Sequence, residues 1–181
     1  MTVFKLNIEK AKAVMLYITK QLQEPDFLKV FKILYFAERE HLATYGRPIV
    51  GDTYIAMKRG PVPSFIYDAF KFIRGEGYYN IAYEPFIAAF NISNRYFLSA
   101  KENPDLEELS KSDLTCIDKS IKENKDIDFN ALSEKSHDSA WLEAEKDDEM
   151  NVFKIACAGG ANETMLKYIE ESKDYHNIVF A

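Results

Sequence analysis

Apolar residues recur at helical spacing from the beginning of the chain. Ala11, Val14, Met15, Ile18 and Leu22 share one face over Asn7 to Gln23, and Asn7 is placed to cap that helix. Glu24-Pro25-Asp26 ends it and opens a second helix, with Pro25 near the first turn. Phe27 to Tyr45 carries the strongest pattern. Phe27, Val30, Phe31, Leu34 and Tyr35 form one face, and Ile33, Phe36 and Ala37 widen it until the helix is apolar nearly all round, as buried helices are. Its last part, AEREHLATYG, turns polar, which predicts an end that emerges at the surface and stops at Gly46.

The pattern then changes. Residues 46–68 read GRPIVGDTYIAMKRGPVPSFIYD, with three Gly and three Pro. Asp52 to Met57 has β character, and Gly60-Pro61-Val62-Pro63 is expected to break any regular element. Ser64 then caps a helix over Phe65 to Arg74, ended by Gly75-Glu76-Gly77. Residues 78–100, with Ile81, Tyr83, Phe86, Ile87, Phe90 and Ile92 before Ser93-Asn94 and Arg95-Tyr96-Phe97-Leu98 after, suit a short β-hairpin. Pro104 opens an acidic helical part with the stripe Leu106, Leu109, Ile117 and Ile121, to about Asn124. Asp128 caps the short helix FNALSEKSH, Asp138 to Lys146 forms a further turn bearing Trp141, Val152 to Ala158 is a short helix, and Asn162 caps the last one, from Glu163 to about Asp174. The fold class expected is mainly α: a single helical domain over residues 1–181 with a small β-hairpin or sheet element, the residues after about 150 forming a helical C-terminal extension.

Charge narrows the partners. Residues 1–100 hold 13 basic and 9 acidic residues, net +4, whereas residues 101–150 hold 7 and 16, net −9. An acidic middle disfavours nucleic acid, which needs a basic surface, and leaves either a solvated helix face or a surface for a basic partner. No run reaches the length of a membrane span, and the charged N-terminus lacks the order of a signal peptide, so a cytoplasmic protein is expected. Cys116 and Cys157 lie far apart without a CxxC, and are read as reduced thiols.

Three kinds of chemistry are testable against the motifs. A phosphate loop requires successive backbone N–H groups, and KRGPVPS has prolines in their place. What the prolines supply is stiffness, which suits either a rigid platform for a protein partner or a plain turn delivering Ser64 to its helix. Glu38-Arg-Glu-His41 and Glu134-Lys-Ser-His137 share the Glu-x-x-His spacing of di-iron bundles, which makes a carboxylate–histidine metalloenzyme the alternative from a different class. Both sit in charged, exposed-looking surroundings, and no further Glu falls within an apolar stripe. Ser136-His137-Asp138 are consecutive, so sequence order alone makes no triad of them, and no GxSxG occurs. SHDSAW instead reads as a helix end with an imidazole suited to the dipole, followed by Trp141 as an amphipathic anchor.

The stretch Leu28–Asp68, LKVFKILYFAEREHLATYGRPIVGDTYIAMKRGPVPSFIYD, resembles the signature of the SocA-like Panacea domain of type II toxin–antitoxin systems. The matching elements are KILYFAEREHL, YGRPIVGD and YIAMKRGPVPS followed by IYD, and LSEKSHDSAW (Leu132–Trp141) is similar to the family's second patch. The resemblance implies an antitoxin, not an enzyme and without cofactor or metal, that neutralises a cognate toxin by direct protein–protein binding. It also implies a second possibility, a proteolytic adaptor that delivers the toxin to a Clp-type protease, for which the apolar ending NIVFA is a candidate tag unless it docks on the core. Some members add a DNA-binding domain, which is not expected here because the first helix begins almost at once. The binding surface expected from the two patches comprises Tyr35, Glu38, Arg39, Lys58, Arg59, Pro61, Pro63, His137 and Trp141.

Overall fold

Helix α1 spans Ile8–Leu22, capped by the Asn7 side chain, and α2 spans Phe27–Tyr45, capped by Asp26 and closed by Gly46 in the left-handed conformation. The computed structural model describes the backbone of residues 4–179 and the side chains of residues 4–172. Pro25 lies just outside α2, one residue before the cap, where its fixed φ aims the chain into the helix. The all-round apolarity of α2 has a direct cause, because two apolar clusters meet on it. Phe27, Val30, Phe31, Ile33, Leu34 and Ala37 face a core shared with α1 and the middle of the chain. Tyr35, Phe36 and Leu42 face a second cluster built by the C-terminal part. Each fully buried Phe or Leu contributes about 2 kcal/mol, so α2 is the main stabilising element of both.

The first cluster is completed by α3 (Ser64–Ile73), α4 (Glu84–Ala89), a hairpin of β3 (Phe90–Ser93) and β4 (Phe97–Ala100), and α5 (Lys111–Asn124). The hairpin expected over 78–100 is therefore shorter than the sequence suggests. Its first half is helical because Pro85 at the start of α4 is pre-set for a helix, and Phe86 and Ala89 fall on one face. Helix α5 begins with a reciprocal capping box between Ser110 and Asp113. The second cluster uses α6 (Phe129–Lys135), α7 (Ser139–Glu143), α8 (Val152–Ala158) and α9 (Glu163–Val179).

Between the clusters lies a second hairpin, β1 (Tyr54–Met57) with β2 (Gly60–Pro63). The expectation that Gly60–Pro63 breaks regular structure is overturned, and the ladder shows why two prolines are tolerated. Ser64 donates its N–H to the Thr53 carbonyl at 2.8 Å, so with Ile55 opposite Val62 and Met57 opposite Gly60, alternate residues face the partner strand. Pro61 and Pro63 fall on the outward positions, where no donor is needed. The other edge of β1 is covered: Ala56 donates to Asp148 O and Met150 donates to Tyr54 O. Ser64 does not cap α3. It is the first helical residue, and Asp52 takes the capping role from across the chain, accepting from the N–H groups of Phe65 and Ile66 at 3.1 Å each. No helix among the described residues is long and apolar enough to cross a membrane.

Candidate functional site

The hairpin tip is gripped from three sides. Its outward Pro61 carbonyl accepts from Lys32 Nζ of α2 at 2.7 Å. From α6, Ser133 Oγ donates to the Arg59 carbonyl at 2.9 Å. From α7, Trp141 Nε1 donates to the Met57 carbonyl at 2.9 Å. Lys32 is buried at 1% exposure, and burial pushes its amine down to about 7. Gly60 closes the turn at φ +92°, and a Cβ there would come within 2.1 Å of Ser136 Oγ and 3.1 Å of Lys32 Nζ. A glycine is required by both conformation and space. The result is a fixed two-residue tip with Lys58 and Arg59 exposed on it.

Beside the tip, the last half of α2 meets the start of α7. Asp138 accepts from Tyr35 Oη at 2.9 Å and from Arg39 at 2.7 Å through one oxygen, while the other caps α7 by accepting from the N–H groups of Ala140 and Trp141. Burial first, then the adjacent Asp138, raises the Tyr35 phenol, so it stays a donor. His137 stacks on Trp141 with ring centroids 3.8 Å apart and 17° between planes. Arg39 and Lys135 both lie over the Phe36 ring, at 5.0 and 5.1 Å from its centroid, and Arg59 lies over Phe129 at 5.5 Å.

The third component is the loop after α2. Glu38 is buried at 1% exposure and accepts from the N–H groups of Ile49 at 2.6 Å and Val50 at 2.9 Å. Burial raises its carboxyl to about 7, and raises that of Asp52 to about 6. His41 is buried, with Nδ1 against the Arg47 carbonyl at 2.7 Å and Nε2 near Ser112 Oγ and Asp113. Burial alone would raise Asp113, but hydrogen bonds from Lys10 and Ser110 outweigh it and hold the carboxyl below its ordinary value. The exposed surroundings expected for AEREHL are thus a correction: Glu38 and His41 are interior, because α5 and the loop cover that face. Glu134 is exposed and His137 is stacked on Trp141, so the two Glu-x-x-His motifs do different things. Among the described residues, no group of three or more His, Cys, Asp or Glu side chains is placed to hold a metal. Both cysteines are free, and burial pushes the Cys116 thiol up to about 11.

The nine residues expected at the binding surface divide by burial. Tyr35, Glu38, Pro61 and Pro63 are buried and act as supports. Lys58 and Arg59 are exposed, and Arg39, His137 and Trp141 are half-buried beside them. Sequence reasoning missed Lys32, Ser133, Ser136 and Asp138 as the groups that join hairpin and helices. A Lys inside the apolar run FKILYF was the available signal for Lys32, since a charge there must find a partner. The NIVFA ending (Asn177–Ala181) lies outside the residues whose side chains are described.

Comparison with known proteins adds one finding. The family model described as "Antitoxin SocA-like, Panacea domain" matches residues 30–142, which contain both sequence patches except Leu28 and Lys29, and every side chain that grips the hairpin. No curated protein and no solved structure matches the chain.

Proposed function

The chain belongs to the family of SocA-like antitoxins with a Panacea domain, and from that premise we propose that it neutralises a cognate toxin by binding it directly. The observation that carries the reading is the convergence of the two patches, whose joining hydrogen bonds span 74 to 103 residues, on one fixed surface. The Lys58-Arg59 tip stands on a hairpin locked by Lys32, Ser133 and Trp141, and Arg39, His137 and Trp141 flank it. A surface held this way loses little freedom on docking, so more of the contact energy remains as affinity. It presents the exposed cations Lys58 and Arg59 beside half-buried Arg39, bound by one carboxylate, and the half-buried, stacked Trp141; Arg and Trp are among the residue types that dominate interface energetics. They favour a toxin face with carboxylates and an apolar slot for the ring.

The protein acts by covering the toxin, without catalysis and without nucleic acid. Delivery of the covered toxin to a Clp-type protease is a separate later step in this reading, and removal of residues 178–181 separates the two. Toxin turnover is lost with binding retained if the ending is a delivery tag. The decisive experiment is co-expression with the neighbouring reading frame, followed by pull-down and a growth assay. A neighbour that is toxic alone, harmless with this chain and co-purified with it supports the proposal. A neighbour that is neither toxic nor bound overturns it.

A further inference from the structure

A cavity of about 300 Å³ lies on the far side of β1 from the hairpin partner, between the end of α2, the loop after it and the start of α8. Its lining includes the apolar Leu42, Pro48, Met150 and Ile155. It also includes Glu38, Asp52, Glu149 and Tyr54. Exposed Asn151 stands at its rim, so the space connects with solvent. No Lys or Arg is among the described residues of the lining.

The polar part of this lining is incomplete. Tyr54 is 4% exposed, and its hydroxyl is buried without a hydrogen-bond partner. A phenol left so in a folded protein is uncommon, because an unmade bond costs the full desolvation of the group. The Tyr54 hydroxyl is close enough to Glu38 and Asp52 to feel the charge of both. Asp52 acts on Glu38, and neither carboxyl has an ion-pair partner among the described residues within 4 Å; the cation that Glu38 also feels, Lys10, is paired with Asp113 at 2.6 Å. Each is bonded only to backbone N–H groups: Glu38 to Ile49 and Val50, Asp52 to Thr53, Phe65 and Ile66. A carboxylate offers about four acceptor positions, so both retain capacity toward the cavity. One orphaned hydroxyl, two acceptors without a counter-ion and an apolar wall together describe a receptor for a donor-rich cation on an aliphatic stem.

We propose that this cavity binds a primary ammonium group carried on an apolar stem, with the nitrogen held by Glu38, Asp52 and the Tyr54 hydroxyl and the stem against Leu42, Met150 and Ile155. Two sources share that chemistry, a free aliphatic amine and the lysine side chain of a protein. The proposal does not rest on the toxin reading, although Tyr54 belongs to β1 and Glu38 to α2, so its test needs no toxin.

The test is calorimetric and thermal titration of the purified full chain with n-butylammonium, with Nα-acetyl-lysine amide, and with n-pentanol as the uncharged control. Millimolar butylammonium is expected to raise the melting temperature and to bind once per chain, with pentanol at least tenfold weaker. Tyr54→Phe removes only the unpartnered oxygen, so it is expected to fold with an unchanged or higher melting temperature and to weaken the amine about tenfold. Binding of the lysine amide as well as butylammonium assigns a protein side chain as a competent source, and binding of butylammonium alone assigns a free amine. Failure of both amines at tens of millimolar overturns the proposal. So does equal binding of pentanol, or a Tyr54→Phe protein that binds as well as the parent, because either outcome means that the space is only an apolar void.

Discussion

Replacing Lys32 with methionine tests the central claim that a buried amine locks the hairpin. Lys32 is 1% exposed, and its amine donates to the Pro61 carbonyl at 2.7 Å. Burial lowers its pKa from 10.5 to about 7. Between those values the unfolded chain holds a proton that the folded chain does not, so stability rises as pH increases from about 7 to about 10.5. At about 1.4 kcal/mol per unit, carrying the charge into the fold costs about 5 kcal/mol below pH 7 and nearly nothing at pH 10.5. Methionine has a similar shape and no charge, so it removes that cost. It also leaves the Pro61 carbonyl unbonded, a loss of about 1–2 kcal/mol. Lys32→Met is therefore expected to be more stable than the parent at pH 7, by about 3 kcal/mol, and slightly less stable at pH 10, by up to about 1 kcal/mol, because about 0.8 kcal/mol of the charge cost persists half a unit below 10.5. Urea unfolding at both pH values, followed by the emission of the single tryptophan, Trp141, measures the difference. All other groups titrate alike in the two proteins, so the sign change isolates Lys32. A Lys32→Met protein that is less stable by the same amount at both pH values would refute the reasoning.

Glu38 runs in the opposite window: burial raises its carboxyl from 4.5 to about 7, so its favourable contribution is complete below pH 4.5 and is lost as pH rises through 7. Glu38→Gln, which sets an amide N–H₂ against a backbone donor, is expected to cost about 1–3 kcal/mol at pH 5 and less at pH 8, measured by urea unfolding at each. Gly60→Ala meets both a left-handed φ and Ser136, and should cost about 1–3 kcal/mol and reduce toxin binding in the same pull-down. Arg59→Ala removes an exposed side chain and its contact over Phe129, so the melting temperature falls by no more than a few degrees while binding falls by about 2 kcal/mol or more if the tip is the centre of the interface. Trp141→Ala releases the Met57 carbonyl and the His137 stack, and is expected to lose both stability and neutralisation, whereas Trp141→Phe keeps much of the stacking and separates the two by its growth phenotype.

The chain's own pattern determined the order and kind of most elements. Periodicity and caps are local properties, and Asn7, Asp26, Ser110, Asp128, Asp138 and Asn151 all cap the helices that follow them. The family was legible too, since Leu28–Asp68 and Leu132–Trp141 carry it and the family model spans residues 30–142. What the sequence could not show was which polar residues are interior. AEREHL looks like a surface, yet Glu38 and His41 are buried, because their cover comes from residues 47–50 and from α5, far along the chain. GPVP looks like a breaker, yet it is a strand, because only the register opposite Tyr54–Met57 decides that both prolines face away from the ladder. The surface proposed for binding was half visible for the same reason. The two patches brought forward all nine residues alike, and only packing separates exposed Lys58 and Arg59 and half-buried Arg39, His137 and Trp141 from Tyr35, Glu38, Pro61 and Pro63, which are buried. Local sequence sets backbone conformation; the partner of a buried charge or an outward carbonyl is a long-range choice, made when Lys32, Asp138 and the hairpin meet.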